Sequence, residues 1–139
     1  MTMTTAKNPA RRERPMSPHL QVYRPQVTSG LSILHRVTGA GMTLGVPVFV
    51  AWLVALASGP EGYKMFLDCA HTMVGRLLLY GWSFAFFYHF ACGIRHLLWN
   101  AGLCLEIKEV YSTGRIALPA AALVTIAIWS KIFLGWWTR

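Results

Sequence analysis

A serine, a histidine, an arginine and a glycine stand at positions 32, 35, 36 and 39. On an α-helix that spacing, i, i+3, i+4 and i+7, lines up Ser32, His35, Arg36 and Gly39 as one stripe. A second set, His89, Gly93 and His96, falls at i, i+4 and i+7, with Arg95 beside His96. Neutral imidazole is a good axial ligand for haem iron, and cationic side chains are natural partners for carboxylates such as haem propionates. A small residue one turn from a ligating histidine, as Gly93 is from His89, leaves room for a macrocycle edge. In that reading a b-type haem would take His89 as its iron ligand and His35, Arg36 and His96 as propionate partners. Position alone leaves blander readings open. His89 could be a hydrogen-bonded packing residue, His35, Arg36 and His96 could snorkel to an interface, and the glycines could serve close packing.

The elements that must carry these residues follow from composition. The chain has 139 residues, 55% of them hydrophobic and only 13% charged, about half the charge content of an average soluble domain. The apolar residues are concentrated in blocks. No charge interrupts Val37–Pro60 or Leu77–Ile94, and a third run from Ile116 is broken only by Lys131. A span needs about 20 mostly apolar residues, and a helix satisfies its own backbone groups in lipid. The pattern predicts an all-α membrane protein: a polar N-terminal segment (1–28) followed by a three-helix transmembrane anchor (29–139), with spans near 29–58, 72–98 and 115–137. Pro47 falls inside the first span, where membrane helices tolerate proline. Trp52, Tyr80, Trp129, Trp136 and Trp137 supply candidate interfacial anchors.

Ionisable groups inside a span are costly, which makes the two stripes candidates for function. At about 1.5 Å per residue, His35 lies about 9 Å in from Ser29, while His96 and His89 lie about 6 Å and 16 Å in from Asn100. That count places His35, Arg36 and His96 at one depth and His89 about 10 Å deeper. No second histidine then faces His89: either another chain supplies the second axial ligand or the haem reading fails.

Nine of the thirteen Lys and Arg residues lie on the side of the N-terminal segment and the second interhelical loop, and four on the other. The positive-inside rule therefore predicts a cytoplasmic N-terminus. The Arg11-Arg12-Glu13-Arg14 run reads as a polybasic flank of a span rather than a nucleic-acid site. The first 30 residues lack the order of a cleavable signal peptide, which predicts an uncleaved chain. Cys69, Cys92 and Cys104 form no C-x-x-C or C-x-x-C-H motif, which argues against zinc, covalent haem and an iron–sulfur cluster held by this chain. No glycine-rich nucleotide fingerprint is present. His19 and His71 lie outside the spans and carry no signal.

Three stretches resemble the cytochrome b-type large membrane-anchor subunit of succinate dehydrogenase (respiratory complex II): RPMSPHLQVYR at 14–24, SILHRVTG at 32–39 and HFACGIRHLLWN at 89–100. The resemblance covers nearly the whole chain from Arg14 to the third span. It implies that His89 is an axial ligand of a haem b shared with a small membrane-anchor subunit, whose own histidine is the other ligand. It also implies that Ser32 and Arg36 belong to a ubiquinone site and that His35, and less directly His96, lies near the propionates. Succinate would be oxidised in a flavoprotein subunit and electrons would pass through an iron–sulfur subunit, so no catalytic residue is expected here. Asn100 stands where the family pattern carries an acidic residue, and Pro25 where mitochondrial members resemble Tyr-Arg-Trp.

The expected activity is that of an anchor subunit in succinate:ubiquinone oxidoreductase, linking the tricarboxylic acid cycle to electron transport. The expected location is a bacterial inner membrane, ahead of the mitochondrial one. The rivals are the anchor of a quinol:fumarate reductase, which shares the architecture, and a haem-free structural anchor. A haem spectrum and quinone dependence separate the last from the others.

Overall fold

A computed structural model describes residues 24–137, with side chains as far as Leu134. The basic run at 11–14, His19 and most of the 14–24 motif lie outside the described residues. So do Arg139 and the side chains of Trp136 and Trp137. Among the described residues four helices follow one another: α1 (Val27–Ala57), α2 (Pro60–Ala70), α3 (Met73–Asn100) and α4 (Ile107–Trp137). Three of them, α1, α3 and α4, are long and apolar enough to cross a membrane. The 31 residues of α1 rise about 46 Å, ample for a ~30 Å hydrocarbon core. Pro47 is accommodated within α1, and Pro119 within α4.

Two features go beyond the expected three spans. The first is α2, whose 11 residues are too short to cross. Its half-buried Tyr63, Phe66, Leu67 and Ala70 recur at helical spacing, while Glu61, Lys64, Met65 and Asp68 face outward. It packs mainly on α1. Gly59, at φ 87°, makes the turn that Pro60 then converts into a helix start, a job that suits glycine and proline in that order. The second feature is that α4 begins at Ile107, eight residues before the expected start of the span. Its entry is fixed by the Glu106 N–H donating to the Glu109 carboxylate at 3.4 Å, one half of a capping box. Lys108, Glu109 and, two turns on, Arg115 keep the start of α4 polar. Hydropathy marks where hydrocarbon begins, whereas capping marks where the helix begins.

The other helix ends are equally explicit. Thr72 caps α3, its Oγ1 accepting from Gly75 N at 3.1 Å. At the far end Leu103 N donates to Leu98 O at 2.9 Å and Gly102 N to Trp99 O at 3.0 Å, around Gly102 at φ 77°. This is a Schellman motif with glycine in the left-handed position that suits it.

The central element is α3, packing along α4 on one side and α1 on the other. The core is small: Tyr88, Cys92, Ala117 and Ala121, with Leu31, Leu34, Phe84 and Phe87 against it. Tyr88 is fully buried and its Oη donates to Leu31 O at 3.0 Å. Thr125, also fully buried, returns its hydroxyl to Ala121 O at 2.7 Å. Elsewhere the helices present large apolar side chains outward, Leu44, Val54, Leu78 and Leu123 among them. Helices apolar on every side are at home in lipid. Small side chains set the α3–α4 distance. Ala121→Leu is therefore expected to force the two helices apart and cost about 1–3 kcal/mol, read as a lower melting temperature of the detergent-solubilised protein.

Candidate functional site

Toward the end of α3 that joins the loop to α4, three imidazoles come together. The rings of His35 and His89 stack with centroids 3.9 Å apart and planes 15° from parallel. His96 is tilted against His35 at 5.2 Å and packs edge-on to Trp99 at 5.0 Å. Helix-end counting put His89 about 7 Å deeper than His35 and about 10 Å deeper than His96, yet His35 and His89 are neighbours. Helix ends are a poor common plane, and α1 begins two residues earlier than expected, which alone adds about 3 Å to the count for His35.

His89 is held from behind. Its Nδ1 lies 3.1 Å from His35 O and 3.4 Å from Thr38 Oγ1. A carbonyl oxygen only accepts, so Nδ1 carries the proton and Nε2 keeps the lone pair that a metal needs. Gly39 makes the approach feasible, because a Cβ there would stand 2.9 Å from His89 Cε1. Around Gly93, one turn along α3, nothing lies within 4 Å of where a Cβ would be. A second buried nitrogen, His35 Nδ1, has no hydrogen-bond partner among the described residues. One free imidazole nitrogen, an open notch a turn away and an unsatisfied neighbouring donor or acceptor fit a haem edge. The stacked rings are too close to sandwich an iron between them, so His35 cannot be the opposite ligand.

Ser32 and Arg36 sit on the exposed side of α1, as does the His96 ring on α3. The sequence stripe therefore splits in two: His35 and Gly39 turn into the α1–α3 seam, while Ser32 and Arg36 face away from it. Asn100 and Pro25 are exposed. An apolar cavity of about 560 Å³ lies between α1, α2 and α3, bordered by Gly41, Leu44, Phe66 and Trp82, and contains none of these residues.

Arg95 is the residue whose role the sequence did not reveal. It is 9% exposed, with Nε donating to Thr113 Oγ1 at 3.2 Å and Nη2 to Val110 O at 3.1 Å. Its guanidinium also lies 4.8 Å from the centre of the Trp99 ring, a cation–π contact. Gly114 leaves space for it, since a Cβ there would approach Nη2 to 3.2 Å. The signal was an arginine beside His96 facing a Thr-Gly pair, but its direction could not be read without knowing that helix α4 starts before Thr113.

The comparisons with known proteins bear on this arrangement. Residues 10–128 match the family described as Succinate dehydrogenase/Fumarate reductase transmembrane subunit. The chain belongs to that family. It is 41% identical to a succinate dehydrogenase cytochrome b556 subunit of Rickettsia bellii, over 91% of this chain and 99% of the relative. It is 41% identical to a cytochrome b560 subunit of Reclinomonas americana over 84% of each chain, and 32% identical to a cytochrome b556 subunit of Paracoccus denitrificans over 84% and 89%. The protein is thus an integral membrane subunit of an enzyme complex, and the resemblance read from its motifs extends along most of its length.

The Arg95 clamp fastens α3 to α4 beside the histidines. Arg95→Met is expected to remove two charge-assisted hydrogen bonds and cost about 2–4 kcal/mol, measured as a lower thermal midpoint of the purified complex.

Proposed function

We propose that this chain is the large membrane anchor of a succinate:ubiquinone oxidoreductase, with His89 as an axial ligand of haem b. The observation that carries this reading is the bond from His89 Nδ1–H to the His35 carbonyl, which leaves Nε2 available. The family membership and the cytochrome b names of the relatives support it. The opposite axial ligand comes from a small membrane-anchor subunit, and the soluble partners are a flavoprotein and an iron–sulfur subunit. His35, Arg36 and His96 hold the propionates. Haem b, when bound, supplies a one-electron carrier next to the quinone pocket.

Ser32 and Arg36 bind the ubiquinone headgroup from the exposed side of α1. The Ser32 hydroxyl donates to a quinone carbonyl, and the Arg36 guanidinium stabilises negative charge that develops on the quinone oxygen, as preorganised donors do for oxyanions. The excess of Lys and Arg on the side of residue 24 supports a cytoplasmic N-terminal segment, residues 1–28, in a bacterial inner membrane. The relatives cited above carry succinate dehydrogenase names, which favours this direction of reaction over fumarate reduction.

A reduced-minus-oxidised optical spectrum tests the ligand. Membranes holding the assembled complex are expected to show a b-type band that His89→Leu abolishes, and an unchanged band in the variant overturns the assignment. For the quinone site, Arg36→Leu is expected to lower quinone reduction at least tenfold while succinate oxidation with an artificial dye is retained. Equal loss of both activities means that assembly, not quinone binding, depends on Arg36.

A further inference from the structure

We infer that Thr38 and Gly39 are positioning residues that set the protonation pattern and ring orientation of His89, and through them the redox potential of the iron it holds. This rests on His89 being an axial ligand. The cradle is built from three features of one turn of α1. The His35 carbonyl stands 3.1 Å from His89 Nδ1. Thr38 Oγ1 stands 3.4 Å from the same nitrogen, and its own proton is directed at backbone, with Leu34 O and His35 O each at 2.9 Å. A hydroxyl whose hydrogen is spent on a carbonyl offers only lone pairs to its other neighbour. Both groups at Nδ1 therefore accept, and the proton is confined there.

Thr38 is 6% exposed, so water does not compete for these contacts. Gly39 supplies the third feature. Its missing side chain lets the imidazole edge rest on α1, and a methyl group there must push Cε1 away, lengthening the bond to the His35 carbonyl. Hydrogen bonding at the distal nitrogen raises the electron donation of a ligating imidazole and fixes its orientation. Stronger donation favours ferric iron, so weakening the cradle raises the midpoint potential.

The test is a redox titration and a low-temperature electron paramagnetic resonance spectrum of the haem in the assembled complex. The variants are Thr38→Val, Thr38→Ser, Gly39→Ala and His89→Leu, with haem per flavin measured for each. Thr38→Val and Gly39→Ala are expected to raise the midpoint potential and move the g-values, and Thr38→Ser to restore both. Should Thr38→Val fail to assemble, Thr38→Ala takes its place. Haem lost in His89→Leu but unshifted in Thr38→Val and Gly39→Ala overturns the positioning role and leaves the ligand standing. Full haem retained in His89→Leu overturns the ligand itself.

Discussion

Where α1 and α3 cross, a side chain of one helix uses a backbone oxygen of the other. In lipid, a polar nitrogen without a partner costs several kcal/mol, and no water is at hand to supply one. His89 meets that demand by giving its Nδ1 proton to the His35 carbonyl. Much of the local design follows from this bond. The helices must approach closely, which accounts for Gly39. The two imidazoles must lie flat on one another, and the remaining nitrogen of His89 keeps its lone pair.

Tyr88 and Arg95 extend the same economy to the rest of the bundle. Tyr88, next to His89 on α3, borrows the Leu31 carbonyl one turn earlier on α1. Arg95 turns the other way and engages α4 at Val110 and Thr113. Three polar side chains of α3 thus fasten it to both neighbours within about two turns. Facing this stretch, α4 carries the small residues Gly114 and Ala117 that let the helices meet. Farther along, the contacts are largely those of apolar surfaces, which bind lipid as readily as one another.

The three spans were legible because a charge-free run of about 20 residues is rare in any chain that does not cross a bilayer. The short amphipathic α2 was not, since 11 residues with alternating polar and apolar character resemble an ordinary connection. The early start of α4 was hidden because Lys108, Glu109 and Arg115 look like loop residues until the Glu109 cap is seen. Among the site residues, His35, His89 and His96 were expected to cooperate, and their rings do adjoin. Their relative depth was misjudged because the count began from ends that are not level. Thr38 carried no distinguishing mark, as a threonine in an apolar helix usually bonds to its own backbone; its second neighbour is a matter of tertiary geometry. Arg95 registered only as a charge beside His96, and its burial depends on which way one rotamer turns.

With α2 confined to one end and three helices crossing, the histidines sit nearer the face that carries residue 24 and the 101–106 turn. His89 stands about 16 Å of helix rise before Asn100, the last residue of α3. An electron carrier held there, as proposed, would meet a charge arriving from that side after only part of the transmembrane voltage, whose full crossing is worth ~2.3 kcal/mol per 100 mV. Such a carrier would be only partly exposed to how strongly the membrane is energised.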